Sequence, residues 1–290
     1  MSWGSNESGE LGIGTASPSA NKLSPVESYT SGRFIAVRGG QNDMYNHTIA
    51  LKSDGTVWAW GNNEYGQIGD GESGAINDRH EPVKLESLSG IISIDAGSTH
   101  SIALDQDGDV WVWGQNISGQ LGTSDNTNQY TPVMLYGLPK FQSIAAGKDH
   151  SLALAADGYV WAWGYNMEGQ LGVNDTTNRN TPVQVLSPSG AGYLSNVVAI
   201  AAGTRHSLAL KNDGSVWAWG SADYGCLGNT YTSGYYSLPV ETYSTDSMSY
   251  LKNIIAIAAG HEHSLALTNE GNVLAWGRGQ YGRLGNNTSM

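Results

Sequence analysis

The chain has 290 residues, 39% of them hydrophobic and 14% charged, which gives enough apolar area for a packed core and excludes a disordered polymer. Its formal charge is −12, from 14 Lys and Arg against 26 Asp and Glu, and no basic run occurs, which argues against a nucleic-acid partner. The longest apolar runs, such as Val197 to Ala202, fall far short of the roughly 18 residues of a membrane helix.

The opening stretch MSWGSNESGE has neither the charged nor the apolar region of a secretory signal, so a cytoplasmic or virion-associated location is expected. Cys226 is the only cysteine, which excludes an internal disulfide. The same opening stretch holds the first copy of a phrase that recurs along the chain. Trp3 to Gly12 reads WGSNESGELG, Trp58 to Gly69 reads WAWGNNEYGQIG, and Trp111 to Gly122 reads WVWGQNISGQLG. Trp161, Trp217 and Leu274 open three more copies. Such periodicity marks a tandem array.

Each repeat reads as four short strands, labelled A to D. In Val197 to Gly220, Val198, Ile200 and Ala202 alternate as strand A, His206 to Leu210 form strand B, and Val216 to Trp219 form strand C. An Asp-Gly pair joins B to C at Asp54-Gly55, Asp107-Gly108, Asp157-Gly158 and Asp213-Gly214, with Glu270-Gly271 in the last repeat, and it predicts a hairpin. Strand D is expected to open at Pro82, Pro132, Pro182 and Pro239, with Pro25 to Ser28 as an earlier copy; proline suits the start of an edge strand. The repeated histidines, His47, His100, His150, His206 and His263, lie 53, 50, 56 and 57 residues apart. Strand C places Trp161 and Trp163 on one side of the sheet, where wide rings fill the wedge toward a neighbouring sheet. The expected fold is an all-β propeller of four-stranded antiparallel blades. It has five complete repeats plus overlapping terminal half-repeats, a ring of five or six blades, and one domain over residues 1–290.

Five histidines at one repeat position sit on five different blades and cannot converge on a metal, so a structural role with each imidazole bonding nearby loop backbone is expected. Asp105 to Asp109 carries its glycine too early for a calcium loop and reads as the B–C turn. No nucleophile stands with a base and orienting acid, so neither an enzyme nor a cofactor is expected.

The AG-x-x-H-S-x-A-L strand, the D-G-x-V-W-x-W-G strand and the N-x-x-G-Q-L-G loop resemble the repeat of the regulator of chromosome condensation family over nearly the whole chain. The resemblance implies a binding scaffold, and its functions can be compared position by position. Plant members that sense ultraviolet-B carry G-W-R-H-T at the A–B turn, where this chain has Ser98, Lys148, Thr204 and His261, with Tyr45 in the first repeat. The founding members exchange nucleotide on a small GTPase through an inserted wedge and carry a basic tail; neither feature is found here. Certain bacterial members inhibit β-lactamases through one face, which is recognition alone.

The expected function is therefore a non-enzymatic binding propeller for a protein or surface ligand, a cell-surface or virion component, with a guanine-nucleotide exchange factor-like regulator as the alternative. A–B and C–D connections share one face, and the non-repeating residues there form the candidate site: Tyr45, Asn46, Ser98, Thr99, Lys148, Asp149, Thr204, Arg205, His261 and Glu262. Arg79, His80, Tyr130, Arg179, Tyr231, Tyr235 and Tyr236 lie outside them.

Overall fold

The computed structural model describes residues 1–28, 32–40, 46–244 and 249–286. The chain forms two compact units, Met1–Ile117 with Asp125–Ile144, and Ser118–Ser124 with Ala145–Met290.

In the first unit, β1 (Ser2–Gly4) and β2 (Lys22–Val26) make a two-stranded ribbon. Blade 1 is β3 (Phe34–Gly39), β4 (His47–Lys52), β5 (Val57–Gly61) and β6 (Arg79–Lys84). Blade 2 is β7 (Ile91–Ala96), β8 (His100–Asp105), β9 (Val110–Gly114) and β10 (Gln129–Met134). The unit boundary falls inside β11 (Phe141–Ala146), the first strand of blade 3, which continues with β12 (His150–Ala155), β13 (Val160–Gly164) and β14 (Arg179–Gln184). Blade 4 is β15 (Val197–Ala202), β16 (His206–Lys211), β17 (Val216–Ser221) and β18 (Tyr235–Glu241). Blade 5 is the three-stranded sheet β19 (Ile254–Ala259), β20 (His263–Thr268) and β21 (Val273–Gly277). Strands follow sequence order within each sheet, and the paired strands run antiparallel, as expected for propeller blades A to D.

One register repeats throughout. The strand-B histidine faces the glycine that ends strand C: His47 and Gly61, His100 and Gly114, His150 and Gly164, His206 and Gly220, His263 and Gly277. The cores are built the same way in each unit. Ile49, Leu51, Val57 and Ala59 of blade 1 pack with Ile91, Ile94, Ala96 and Trp113 of blade 2. Leu152, Leu154, Val160 and Ala162 of blade 3 pack with Val197, Ile200, Ala202 and Trp219 of blade 4.

Two local expectations are refined. The B–C turns place only glycine in the left-handed region (Gly55 at φ 79°), and the Gly55 amide donates to the Lys52 carbonyl while the Lys52 amide donates to that of Thr56. The hairpin is thus a three-residue loop with a glycine bulge, and Asp54 is selected because its carboxylate accepts from the Thr56 amide and hydroxyl. Strand D begins before its proline, at Arg79, Gln129, Arg179 and Tyr235. The register shifts just ahead of the valine that follows the proline, so the proline lies at a bulge on an edge strand and costs no ladder bond.

The two tryptophans of strand C divide their work. The second reaches the preceding loop phrase: Trp60 Nε1 donates to the Glu10 carbonyl, Trp113 to Gln67, Trp219 to Gln170 and Trp276 to Cys226, at 2.7–2.9 Å. The first bonds within its own hairpin while Trp111 and Trp217 also pack, half-buried, against the inter-blade cores: Trp111 Nε1 donates to Asp105, Trp217 to Ser215, and the Lys52 ammonium lies 3.9 Å from the Trp58 ring centre.

Candidate functional site

The amide after the strand-C glycine donates to the carbonyl ahead of strand B in each blade: Asn62 to Asn46, Gln115 to Thr99, Tyr165 to Asp149, Ser221 to Arg205 and Arg278 to Glu262, at 2.8–2.9 Å. This bond brings the A–B turn and the C–D loop together, as expected for one loop face. It also explains the glycine of W-x-W-G. At Gly164, with φ 105°, a Cβ would stand 2.6 Å from the Asp149 carbonyl oxygen, so any side chain would open the turn.

Beneath these turns, in each unit, lie buried histidines. His47 Nε2 meets Ser101 Oγ at 2.8 Å, His150 meets Ser207 at 3.1 Å, and His206 meets Ser264 at 3.0 Å. Each serine hydroxyl donates onward to a loop carbonyl, of Gln67, Gln170 or Cys226. The serine hydrogen is therefore spent, and the histidine Nε2–H must be the donor. The expected imidazole-to-backbone bond is thus replaced by a relay through a serine of the following blade. His47 Nδ1 is left buried with no partner among the described residues. Burial holds His47 down to about 3, with the neighbouring His100 adding to the effect, and holds His100 and His206 down to about 4. These imidazoles are neutral structural parts, and among the described residues no group of histidine, cysteine and carboxylate side chains could hold a metal.

The loop phrase has its own clamp. Asn166 Oδ1 accepts from the Leu171 amide, its Nδ2 donates to the Asp175 and Thr177 carbonyls, and its amide donates to Asn178 Oδ1. Asn63 makes the corresponding bonds with Ile68, Glu72 and Asp78, and Asn6 with Leu11, Thr15 and Asn21. In blades 4 and 5 the asparagine is replaced by Ala222 and Gly279, and the glutamine by Cys226 and Arg283. Both of these loops place a tyrosine in the left-handed region, Tyr224 at φ 57° and Tyr281 at φ 62°, a conformation that bulky residues rarely take. Both rings are exposed, and each carries a guanidinium: Arg278 lies 4.7 Å from the Tyr224 ring centre and Arg283 lies 5.4 Å from that of Tyr281.

The expected site residues fall in distinct environments. Tyr45 lies outside the described residues. In the first unit Asn46 is half-buried, whereas Ser98 and Thr99 are buried and Thr99 Oγ1 donates to Gln115. In the second unit Thr204 is buried, and its amide donates to the His261 carbonyl. Lys148 and Asp149 are half-buried, with the Asp149 carboxyl pushed up by burial against the pull of Lys148 and Arg205. Arg205 and His261 are exposed; Arg205 pairs with Glu168 at 2.9 Å, and Glu262 pairs with Arg278. Of the outer residues, Arg79 is paired with Asp70 and Arg179 with Asp175, while the Tyr231 and Tyr236 rings lie 5.7 Å apart. Tyr224, Arg278, Tyr281 and Arg283 were not among the expected residues. The signal for them is the loss of asparagine at Ala222 and Gly279, which releases the loop from its clamp.

The RCC1-like domain model matches residues 1–290. The chain is 31% identical over 288 residues to the ultraviolet-B receptor UVR8 of Arabidopsis thaliana, covering 98% of this chain and 62% of that protein. It is 32% identical over 284 residues to the human E3 ubiquitin-protein ligase HERC2, covering 97% of this chain and 6% of that one. Among solved structures, human WBSCR16 aligns with a TM-score of 0.78 at 26% identity over 98% of this chain and 72% of that chain. Yeast RCC1 (Prp20), solved bound to Kap60, aligns with a TM-score of 0.65 at 23% identity, over 98% of this chain and 79% of that one, a likeness of fold. The chain thus spans less than two thirds of the length of these two curated relatives. It belongs to the RCC1-like domain family.

Proposed function

We propose that this member of the RCC1-like family is a protein-binding propeller that recognises its partner through the A–B and C–D loops. The reading rests on where regularity fails. Strands A to C hold one register in all five blades, while the loops of blades 4 and 5 abandon the asparagine clamp and expose Tyr224, Tyr281 and Arg205. Backbone strain and exposed aromatic and arginine surface together mark recognition loops on a rigid support. The expected A–B residues then contribute unequally. Arg205, His261 and Glu262 supply contact, whereas Ser98, Thr99 and Thr204 shape the turns from beneath.

Prp20p of Saccharomyces cerevisiae, a likeness of fold, binds Gsp1p and histones, which is a property of that yeast protein. The test is quantitative affinity capture with the wild-type chain against Arg205→Glu combined with Tyr224→Ala. Partners lost from the double variant support the reading, and an unchanged set overturns it. Stimulated release of labelled GDP from a captured GTPase would establish the alternative, a nucleotide-exchange role.

A further inference from the structure

The D–A connections of blades 3 and 4 are longer than those of blades 1 and 2. Val197 and Ile254 lie 15 residues beyond Pro182 and Pro239, whereas Ile91 and Phe141 lie 9 beyond Pro82 and Pro132. The two long connections are built alike. Each is closed by an antiparallel bridge, Leu186 opposite Tyr193 and Tyr243 opposite Tyr250. The next residue is a buried leucine whose amide donates back to the chain just past strand D, Leu194 to Val185 and Leu251 to Thr242, at 2.8–2.9 Å. Asn196 and Asn253 then lead into strand A in the left-handed region, at φ 61° and 60°, a conformation that asparagine tolerates.

What the two bridges carry differs. Tyr193 lies edge-on to Tyr159 of its own blade, with ring centres 6.4 Å apart. Tyr250 instead stacks on Tyr243 at 5.0 Å, with 22° between the rings, and stays 46% exposed. A groove of about 340 Å³ lies along β18 beside this stack, lined by Pro188 of the blade 3 connection and by Trp217, Tyr236, Glu241, Tyr243 and Tyr250. Every lining residue comes from blades 3 and 4 and their connections. None of the residues named for partner recognition lines it, so this site stands or falls separately.

The lining selects by its chemistry. Residues 212–251 hold six tyrosines and no phenylalanine, lysine or arginine, so the tyrosine rings that line the groove each carry a hydroxyl. The only charged lining residue, Glu241, pairs with Lys252 at 2.7 Å, which leaves no net charge to attract an ion. Tyrosine hydroxyls and the Asn229 amide both donate and accept, and the Glu241–Lys252 pair does so jointly. The matching ligand has an apolar face for a ring and a rim of groups that also both donate and accept, which describes a neutral sugar. A proline-rich segment would offer carbonyl acceptors without donors and leave the acceptors of the groove unused.

We propose that this groove is a saccharide site that holds one sugar unit of a neutral oligosaccharide. The C–H face of the sugar lies on an aromatic ring, Tyr250 foremost, where the negative face of the ring attracts the C–H hydrogens. Its hydroxyls bond Glu241, Asn229 and the tyrosine hydroxyls. Tyrosine suits such a role because it gives rigid contact area and a polar tip at little cost in side-chain entropy.

An array of neutral oligosaccharides probed with the full chain, followed by calorimetry on the best-retained sugar, tests this. The wild-type chain is expected to retain at least one sugar. Tyr250→Ala removes the platform, and Glu241→Gln, equal in size, removes an acceptor and unpairs Lys252. Each is expected to weaken the sugar about tenfold with unchanged circular dichroism. Tyr136→Ala, which removes an 80% exposed tyrosine of the blade 2 connection, is expected to bind as wild type does. A wild-type chain that retains no sugar overturns the proposal, as does a sugar bound equally by Tyr250→Ala or by Glu241→Gln. Retention of a decaproline peptide in place of any sugar overturns it as well.

Discussion

At His47 the cost of a proton can be read directly from the surroundings. Nε2–H is committed to Ser101, and Nδ1 faces no acceptor among the described residues, so an imidazolium would be a buried charge with a donor unmet. The folded pKa lies near 3 or 4 for His47, His100 and His206, below the ordinary 6.5, so the unfolded chain binds more protons between those values. Stability is therefore full above pH 6.5 and is lost as pH falls toward 4, by about 3 kcal/mol for a single such histidine. Asp149 and Glu168, raised by burial, act in the opposite sense, while Asp54 and Asp213, lowered mainly by hydrogen bonds from Thr56 and Ser215, act only below their ordinary 3.8. Urea midpoints measured from pH 7 to pH 4 should fall steadily below 6.5; a flat profile down to pH 4.5 would contradict this reading of the buried histidines. Trp219 has 0% exposure and donates to the Gln170 carbonyl, so Trp219→Ala is expected to cost about 3 to 5 kcal/mol in equilibrium unfolding. The repeated His-Ser pair was legible in the sequence. That His47, His150 and His206 use the serine of the next blade was not, because the register between strands of different sheets is not set by either strand's own pattern.

Strands A to C were legible because alternation, an Asp-Gly pair and W-x-W-G fix their type and ends. Strand D was less so: the residues before its proline, such as Arg79-His80-Glu81, carry no apolar pattern, and their pairing is set by β5 and by the preceding loop. The loop phrase was recognised as a glycine-rich reversal, but its clamp joins Asn166 to Asp175 and Asn178, across intervening residues that carry no helical or strand period. Removing the clamp in Asn166→Ala strands the Leu171 amide in a buried site, and the expected loss is about 1 to 3 kcal/mol by urea titration. The same substitution should raise protease sensitivity within 166–178. Resistance equal to wild type would show that the glycines alone hold the loop.

Across the whole molecule, five repeats and two terminal copies of one phrase are enough to specify an all-β chain of RCC1-like blades. That the A–B and C–D connections share one end of each sheet was also legible, since they must alternate with B–C turns along an up-and-down sheet. Which residues project from it was not, because Ser98, Thr99 and Thr204 differ in accessibility from Arg205 and His261 through turn packing that composition does not encode. The most direct measurement is the affinity of a captured partner for three chains: wild type, Arg205→Glu with Tyr224→Ala on the loop face, and Asp157→Asn at the opposite B–C turn. Binding should weaken at least tenfold in the first variant, a loss of about 1.4 kcal/mol, and stay within twofold of wild type in the second. Loss from Asp157→Asn alone, with the loop-face variant binding normally, would contradict the account.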